Sequence, residues 1–260
     1  MRAVLAGVLC CATLLCACRA PVEDGDDLQA ARTAMAERQW SRAERLLGRY
    51  LREERKPEQR WQAWIALLTV LEAGGDTRTS LDYLDAMLEE FADDDARSRE
   101  ILFRIGRLNE RLRRYDRAAD AWNAYLNVPG LKPGESLYGY RRLGAMLFHL
   151  RRFEAAEEAL QQCLALPLAD EEKSMCTYDL ADQYLARGSW NEAADLARQI
   201  VDDEPQGELR ALAGFVLADA LEQLGRNGEA LAQFEAIRDS YPNPGVIDNR
   251  IAYLKKRVKK

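Results

Sequence analysis

Residues 115–125, YDRAADAWNAY, decide the fold. An aromatic residue, Tyr115, is followed three positions on by a small one, Ala118, and four further on by an apolar one, Trp122. The stretch has period 3.6 rather than 2, so it reads as one amphipathic helix entered through an aromatic plug. The same pattern recurs at Trp40, Ala43 and Leu47, at Phe153, Ala156 and Leu160, and at Trp190, Ala193 and Ala197. Two weaker copies read Thr77, Ser80, Leu84 and Asn227, Ala230, Phe234. The small anchors therefore fall at 43, 80, 118, 156, 193 and 230, at intervals of 37 or 38 residues.

Twelve residues before each anchor stand Ala31, Leu68, Gly106, Gly144, Ala181 and Ala218, five of them small. Seven after stand Tyr50, Met87, Tyr125, Cys163, Ile200 and Ile237, all able to enter a core. Each unit then holds two helices, with a small residue on each letting the axes approach. Proline near the end of most units (Pro57, Pro129, Pro167, Pro205, Pro242) is expected to stop the second helix. One such pair cannot bury its apolar faces alone, so neighbours must stack. The expected fold is an all-α, right-handed solenoid of six helix pairs over 28–243. A capping helix follows over 244–260. Its Ile247, Ile251, Leu254 and Val258 face inward, Arg250, Lys255, Lys256 and Arg257 face outward, and its basic end KKRVKK is solvated or drawn to an anionic surface.

This pattern resembles the tetratricopeptide repeat over roughly Asp26 to Asn243, with a period longer than that family's usual thirty-four residues. The resemblance implies that the first helices of successive units line a concave face. Family inner positions then place Phe103, Arg107, Tyr138, Arg141, Phe148, Tyr178 and Phe215 on a partner-binding groove. Aromatics with arginines suit a protein-binding hot spot, though any one of them can instead only pack between repeats. The carboxylate-clamp type needs Asn at the ninth inner position. This chain has Arg32, Thr69, Arg107, Ala145, Asp182 and Asp219 there, which disfavours capture of acidic C-terminal tails.

The N-terminus reads separately. Arg2 precedes an uncharged apolar run from Ala3 to Cys16, the layout of an export signal over 1–17. Leu15-Cys16-Ala17-Cys18 resembles the bacterial lipobox, which implies that Cys18 is acylated and heads the mature chain. The other reading is an ordinary cleaved signal whose cysteines are small hydrophobes. Residues 18–27 would form a tether about 30 Å long when extended. Arg19 follows Cys18, where an aspartate commonly marks inner-membrane retention, so a lipid anchor facing the periplasm on the outer membrane is expected. Export permits a disulfide between Cys163 and Cys176, both expected near one helix reversal, or both can be free core residues.

Of 260 residues, 48% are hydrophobic and 31% charged, with a net charge of -6 and no basic stripe. Neither a multi-span membrane protein nor a nucleic-acid binder fits. The one histidine, His149, is expected at a helix end without a ligand cluster, and Asp93-Asp94-Asp95 reads as a solvated turn. Metal and cofactor are expected to be absent, and nucleophile-elbow, zinc-helix and phosphate-loop motifs are missing. The expected role is a membrane-anchored protein–protein interaction scaffold of the cell envelope. In anchor plus repeats it is similar to β-barrel assembly lipoproteins and secretin pilotins, and its partners would be envelope proteins. The alternative is a small-molecule or peptide-binding accessory of a transport system, marked by a deep enclosed pocket.

Overall fold

The computed structural model describes residues 27–203 and 207–258, all-helical apart from turns and loops. The signal segment, Cys18 and its tether to residue 26, Pro205 and the last two lysines lie outside the described residues. The chain divides into two compact units, Met1–Asp76 and Thr77–Lys260.

The first unit contains α1 (Asp27–Ala36), α2 (Trp40–Glu53) and α3 (Pro57–Gly74). Asp27, expected in the tether, is the first residue of α1, where Arg49 of α2 donates to both of its carboxylate oxygens at 2.7 and 3.0 Å. Pro57 begins α3 rather than ending α2, because the first helical turn has no use for the missing N–H. Pro133 and Pro244 open α7 and α13 in the same way.

The second unit runs α4 (Thr77–Glu90), α5 (Asp95–Arg111), α6 (Tyr115–Asn127), α7 (Pro133–His149), α8 (Phe153–Leu164), α9 (Asp170–Arg187), α10 (Trp190–Asp203), α11 (Glu208–Gln223), α12 (Asn227–Ile237) and α13 (Pro244–Val258). Each helix packs on the next in chain order, and α9 also touches α7 and α11. This is the helix-pair stacking that the period predicts.

The small anchors do what their size permits. A methyl placed on Gly106 of α5 would stand 2.7 Å from Cε2 of Trp122 on α6. One on Gly144 of α7 would stand 3.0 Å from Leu160 of α8. Trp122 and Leu160 are fully buried, so the missing side chain of one helix makes room for the large one of its partner. The anchors Ala43, Ala118, Ala156, Ala193 and Ala230 are buried to the last ångström.

The turn inside each pair has a further regularity. Arg38, Gly75, Arg113, Arg151, Gly188 and Gly225 all adopt positive φ, between 55 and 83°. Every one stands five residues before its anchor. Around Arg113, its own N–H donates to Glu110 O at 2.9 Å and that of Arg114 donates to Asn109 O at 2.9 Å. The same two bonds close the other five turns. This left-handed cap satisfies carbonyls that the helix end would leave orphaned.

The capping helix departs from expectation at two residues. Ile247, Ile251 and Leu254 are buried as expected, each stabilising by about 1.5–3 kcal/mol. Val258 is about half exposed at the helix end. Arg250 does not face outward: it shares a stripe with Val246 and Tyr253 and turns onto α11, where it pairs with Asp219 and Glu222 and lies 5.3 Å over the Phe234 ring. The acids on α11 supply the reason, since a cation beside them gains more than one in water.

Candidate functional site

The inner residues predicted from the sequence lie on α5, α7, α9 and α11 of the second unit, the first helices of their pairs. They divide into three groups.

Phe103, Arg107 and Tyr138 come together. The Phe103 and Tyr138 rings are 5.4 Å apart. The Arg107 guanidinium lies 5.9 Å over Phe103 and reaches the Tyr138 hydroxyl only at 3.5 Å, the limit of a hydrogen bond. Phe103 also meets Trp122 edge-on at 5.6 Å, so one of its faces is occupied by packing. Arg107 itself is exposed.

Arg141 and Phe148 border a recess of about 300 Å³ between α7 and α9, shared with Asp179 and Asp182. Arg141 is not free for a partner. Its guanidinium forks onto Asp179 at 2.5 and 3.1 Å, a bidentate pair between successive repeats. Phe148 leans on Phe153 at 5.3 Å and keeps part of its ring open.

Tyr178 and Phe215 are mainly packing residues. Burial, and then Asp182, pushes the Tyr178 hydroxyl up to about 12, so it stays protonated. Phe215 stacks on Tyr241 at 5.1 Å and meets Phe234 edge-on at 5.6 Å.

Acids at inner positions complete this face. Glu110 accepts from Trp122 Nε1 at 2.5 Å and from Arg142 Nε at 2.8 Å, joining α5, α6 and α7. Arg142 is held above its usual range, first by that hydrogen bond. Asp182 is open to solvent and makes no ion pair among the described residues. The surrounding wall still strips much of its hydration. That desolvation, and next the Asp179 charge, raises its ionisation above the ordinary carboxylate value. The signal for Asp182 and Asp219 was present, since both occupy ninth inner positions.

His149 ends α7 and stacks on Tyr115 at 4.4 Å, a packing role for the single histidine. Cys163 of α8 and Cys176 of α9 are both fully buried, with Cα atoms 6.1 Å apart and sulfur atoms at bonding distance. Among the described residues no group of three or more His, Cys, Asp or Glu is placed to hold a metal ion, and no helix is long and apolar enough to cross a membrane. The face therefore offers rings, paired charges and one unpaired carboxylate, which suit recognition.

The sequence matches the tetratricopeptide repeat over residues 28–95, 69–136 and 178–243, well over half of the chain. No curated protein matches it in sequence. Among solved structures, a tetratricopeptide repeat protein from Parabacteroides merdae superposes with a TM-score of 0.59 at 16% identity, over 90% of this chain and 91% of that one. Pseudomonas aeruginosa PilF does so with a TM-score of 0.52 at 14% identity, over 89% and 96%. YrrB, described as a repeat protein with an unusual peptide-binding site, gives 0.52 at 16% identity, over 72% and 89%. At these identities the likeness is one of fold.

Proposed function

Since the chain belongs to the tetratricopeptide repeat family, we propose that it is a membrane-anchored protein-interaction scaffold of the bacterial cell envelope. Acyl chains such as palmitate on Cys18 hold it at the membrane, and the face shared by α5, α7, α9 and α11 grips an extended segment of a partner. The carrying observation is that face itself. Phe103 and Arg107 keep exposed area on α5, and Phe148 of α7 does so in the recess it shares with Asp182 of α9, an unpaired carboxylate. Aromatic and arginine side chains with such a polar neighbour are what interface hot spots consist of. The fold likeness to PilF and to the peptide-binding YrrB supports the reading by analogy.

The recesses on this face, of about 300 and 410 Å³, sit at the small end of ligand pockets and are lined by charged groups as well as rings. That favours gripping of side chains over enclosure of an apolar ligand, the mark of a transport accessory. Catalysis has no part in the proposed role: Arg141 is paired with Asp179 and Arg142 with Glu110, and the rings and open charges beside them suit binding.

The lipobox-like Leu15-Cys16-Ala17-Cys18 supports the anchor, and Arg19 supports the outer membrane. Two measurements test the reading. Cys18→Ala should release the chain from the membrane fraction and remove its lipid mass. A photo-crosslinking residue at Arg107 or Phe148 should trap a defined envelope protein, while one at exposed Asp202, on the opposite helix of its pair, should not. A wild-type chain without lipid, or equal trapping from both places, would refute the proposal.

A further inference from the structure

A second recess, of about 410 Å³, opens between α5, α6 and α7. Phe103 and Tyr138 form its aromatic walls, 5.4 Å apart at their ring centres. Tyr125 of α6 lies at its base, 6.2 Å from Phe103, with only 5% of its surface exposed. The Tyr125 hydroxyl makes no hydrogen bond to any described residue and faces the recess that Tyr125 lines.

Its rim is acidic. Glu100 gives Oε1 to Arg104 at 2.7 Å and keeps Oε2 unused. Glu135 gives Oε2 to the Lys132 N–H at 2.7 Å, capping α7, and keeps Oε1 unused. The one cation in the lining, Arg99, donates to Pro129 O at 3.0 Å. Burial first, and Glu135 next, raises the ionisation of Tyr125 against an opposing pull from Arg99, so its hydroxyl stays neutral. Room is left by Gly134, where an added Cβ would meet nothing within 4 Å.

The recess therefore presents two ring walls, a phenol oxygen and two free carboxylate oxygens against a single guanidinium, Arg99. An anion would meet repulsion, and a neutral apolar group would leave the hydroxyl unpaired. A donor-rich cation on an aliphatic stem satisfies all five features, its stem against the rings and its charge among the oxygens. We infer that the recess between α5, α6 and α7 is a subsite for a lysine or arginine side chain of the peptide segment bound along this face. The inference rests on the partner-binding reading above and adds to it the chemistry of one bound side chain.

The test uses the full chain in detergent and short capped Gly-Ser peptides with one central lysine, arginine, Nε-acetyl-lysine or glutamate, followed by ligand-observed NMR. Lysine and arginine peptides should bind, and acetyl-lysine and glutamate peptides should bind about tenfold more weakly or less, the loss of one charge-assisted contact set. Gly134→Leu fills the space and should abolish the difference. Glu100→Gln with Glu135→Gln should weaken lysine binding about tenfold, while Gln keeps the cap of α7. Tyr125→Phe keeps the ring and should weaken it about two- to tenfold. Equal binding of lysine and acetyl-lysine peptides, no binding by any of the four, or undiminished lysine binding by Gly134→Leu overturns the assignment. Partner trapping from Arg107 or Phe148 reads the broader proposal separately. If it persists while the peptides fail, only the subsite falls.

Discussion

Replacing Gly106 with alanine should destabilise the protein although alanine is the better helix former. Exchange of a mid-helix glycine gains about 1 kcal/mol in propensity. Against this, the new methyl would stand 2.7, 2.9 and 3.0 Å from three ring atoms of Trp122. Carbon atoms prefer about 3.5–4.0 Å, so all three are too close. Trp122 cannot swing away: it is fully buried, its Nε1–H is held by Glu110 at 2.5 Å, and its ring meets the Phe103 ring edge-to-face. A rigid ring held on three sides puts the cost in the upper part of the overpacking range, about 2–3 kcal/mol. The net loss is then about 1–2 kcal/mol. Gly48→Ala is the control, because its nearest neighbour is the flexible tip of Arg52 at 3.8 Å, and it should stabilise by about 0.5–1 kcal/mol. Urea unfolding followed by far-UV circular dichroism reads both. Trp122→Leu should cost less in the Gly106→Ala background than in the parent, since the pair is coupled. A Gly106→Ala chain as stable as the parent would refute the account of why a small residue stands there.

The left-handed turn gives substitutions of opposite sign at equivalent places. Arg151→Gly should stabilise by about 0.5–1 kcal/mol and Gly188→Ala should destabilise by about 1 kcal/mol in thermal melts; a stabilised Gly188→Ala would contradict the turn geometry. Asp182 titrates above its ordinary value of 3.8, so its protonated form is the one the fold favours. Its contribution is fully present below 3.8 and is lost as pH rises through the raised value. Asp182→Asn should therefore be the more stable form at neutral pH, with the gain vanishing at and below 3.8, and pH-dependent melts of the two chains check this. For Cys163 and Cys176, thiol counting on denatured, unreduced protein should find neither free; the bond would close a loop with a separation of 13 residues and add up to about 3 kcal/mol, and two free thiols would reject it.

The period of small anchors was enough to read the helix pairs, because each small residue answers a steric need that Gly106 and Gly144 show directly. The turn five residues before each anchor was not legible. Three of its six positions carry arginine, and positive φ is signalled by glycine or asparagine. Pro57 was misread for a related reason: proline both ends one helix and begins the next, and only the backbone tells which. The site was legible in its rings and not in how its charges pair. Arg141 and Asp179, Arg142 and Glu110, Arg250 and Asp219 lie 38, 32 and 31 residues apart, so their pairing depends on how first helices align side by side. Opposite charges one period apart mark the first of these pairs alone. The sequence did not show that Phe215 stacks on Tyr241, which lies beyond α12 and carries no repeat signature.

In the second unit the principal contacts join helices that are consecutive or next but one along the chain. Every loop to be closed on folding is short, so little entropy is spent bringing distant segments together. As the polypeptide leaves the ribosome, each helix pair can settle on the one made before it without waiting for those still to come. Synthesis and folding can then advance together, repeat by repeat, and a chain cut after Asp203 should retain the circular dichroism of its finished pairs, whereas collapse to coil would show that the last pairs are needed by the first.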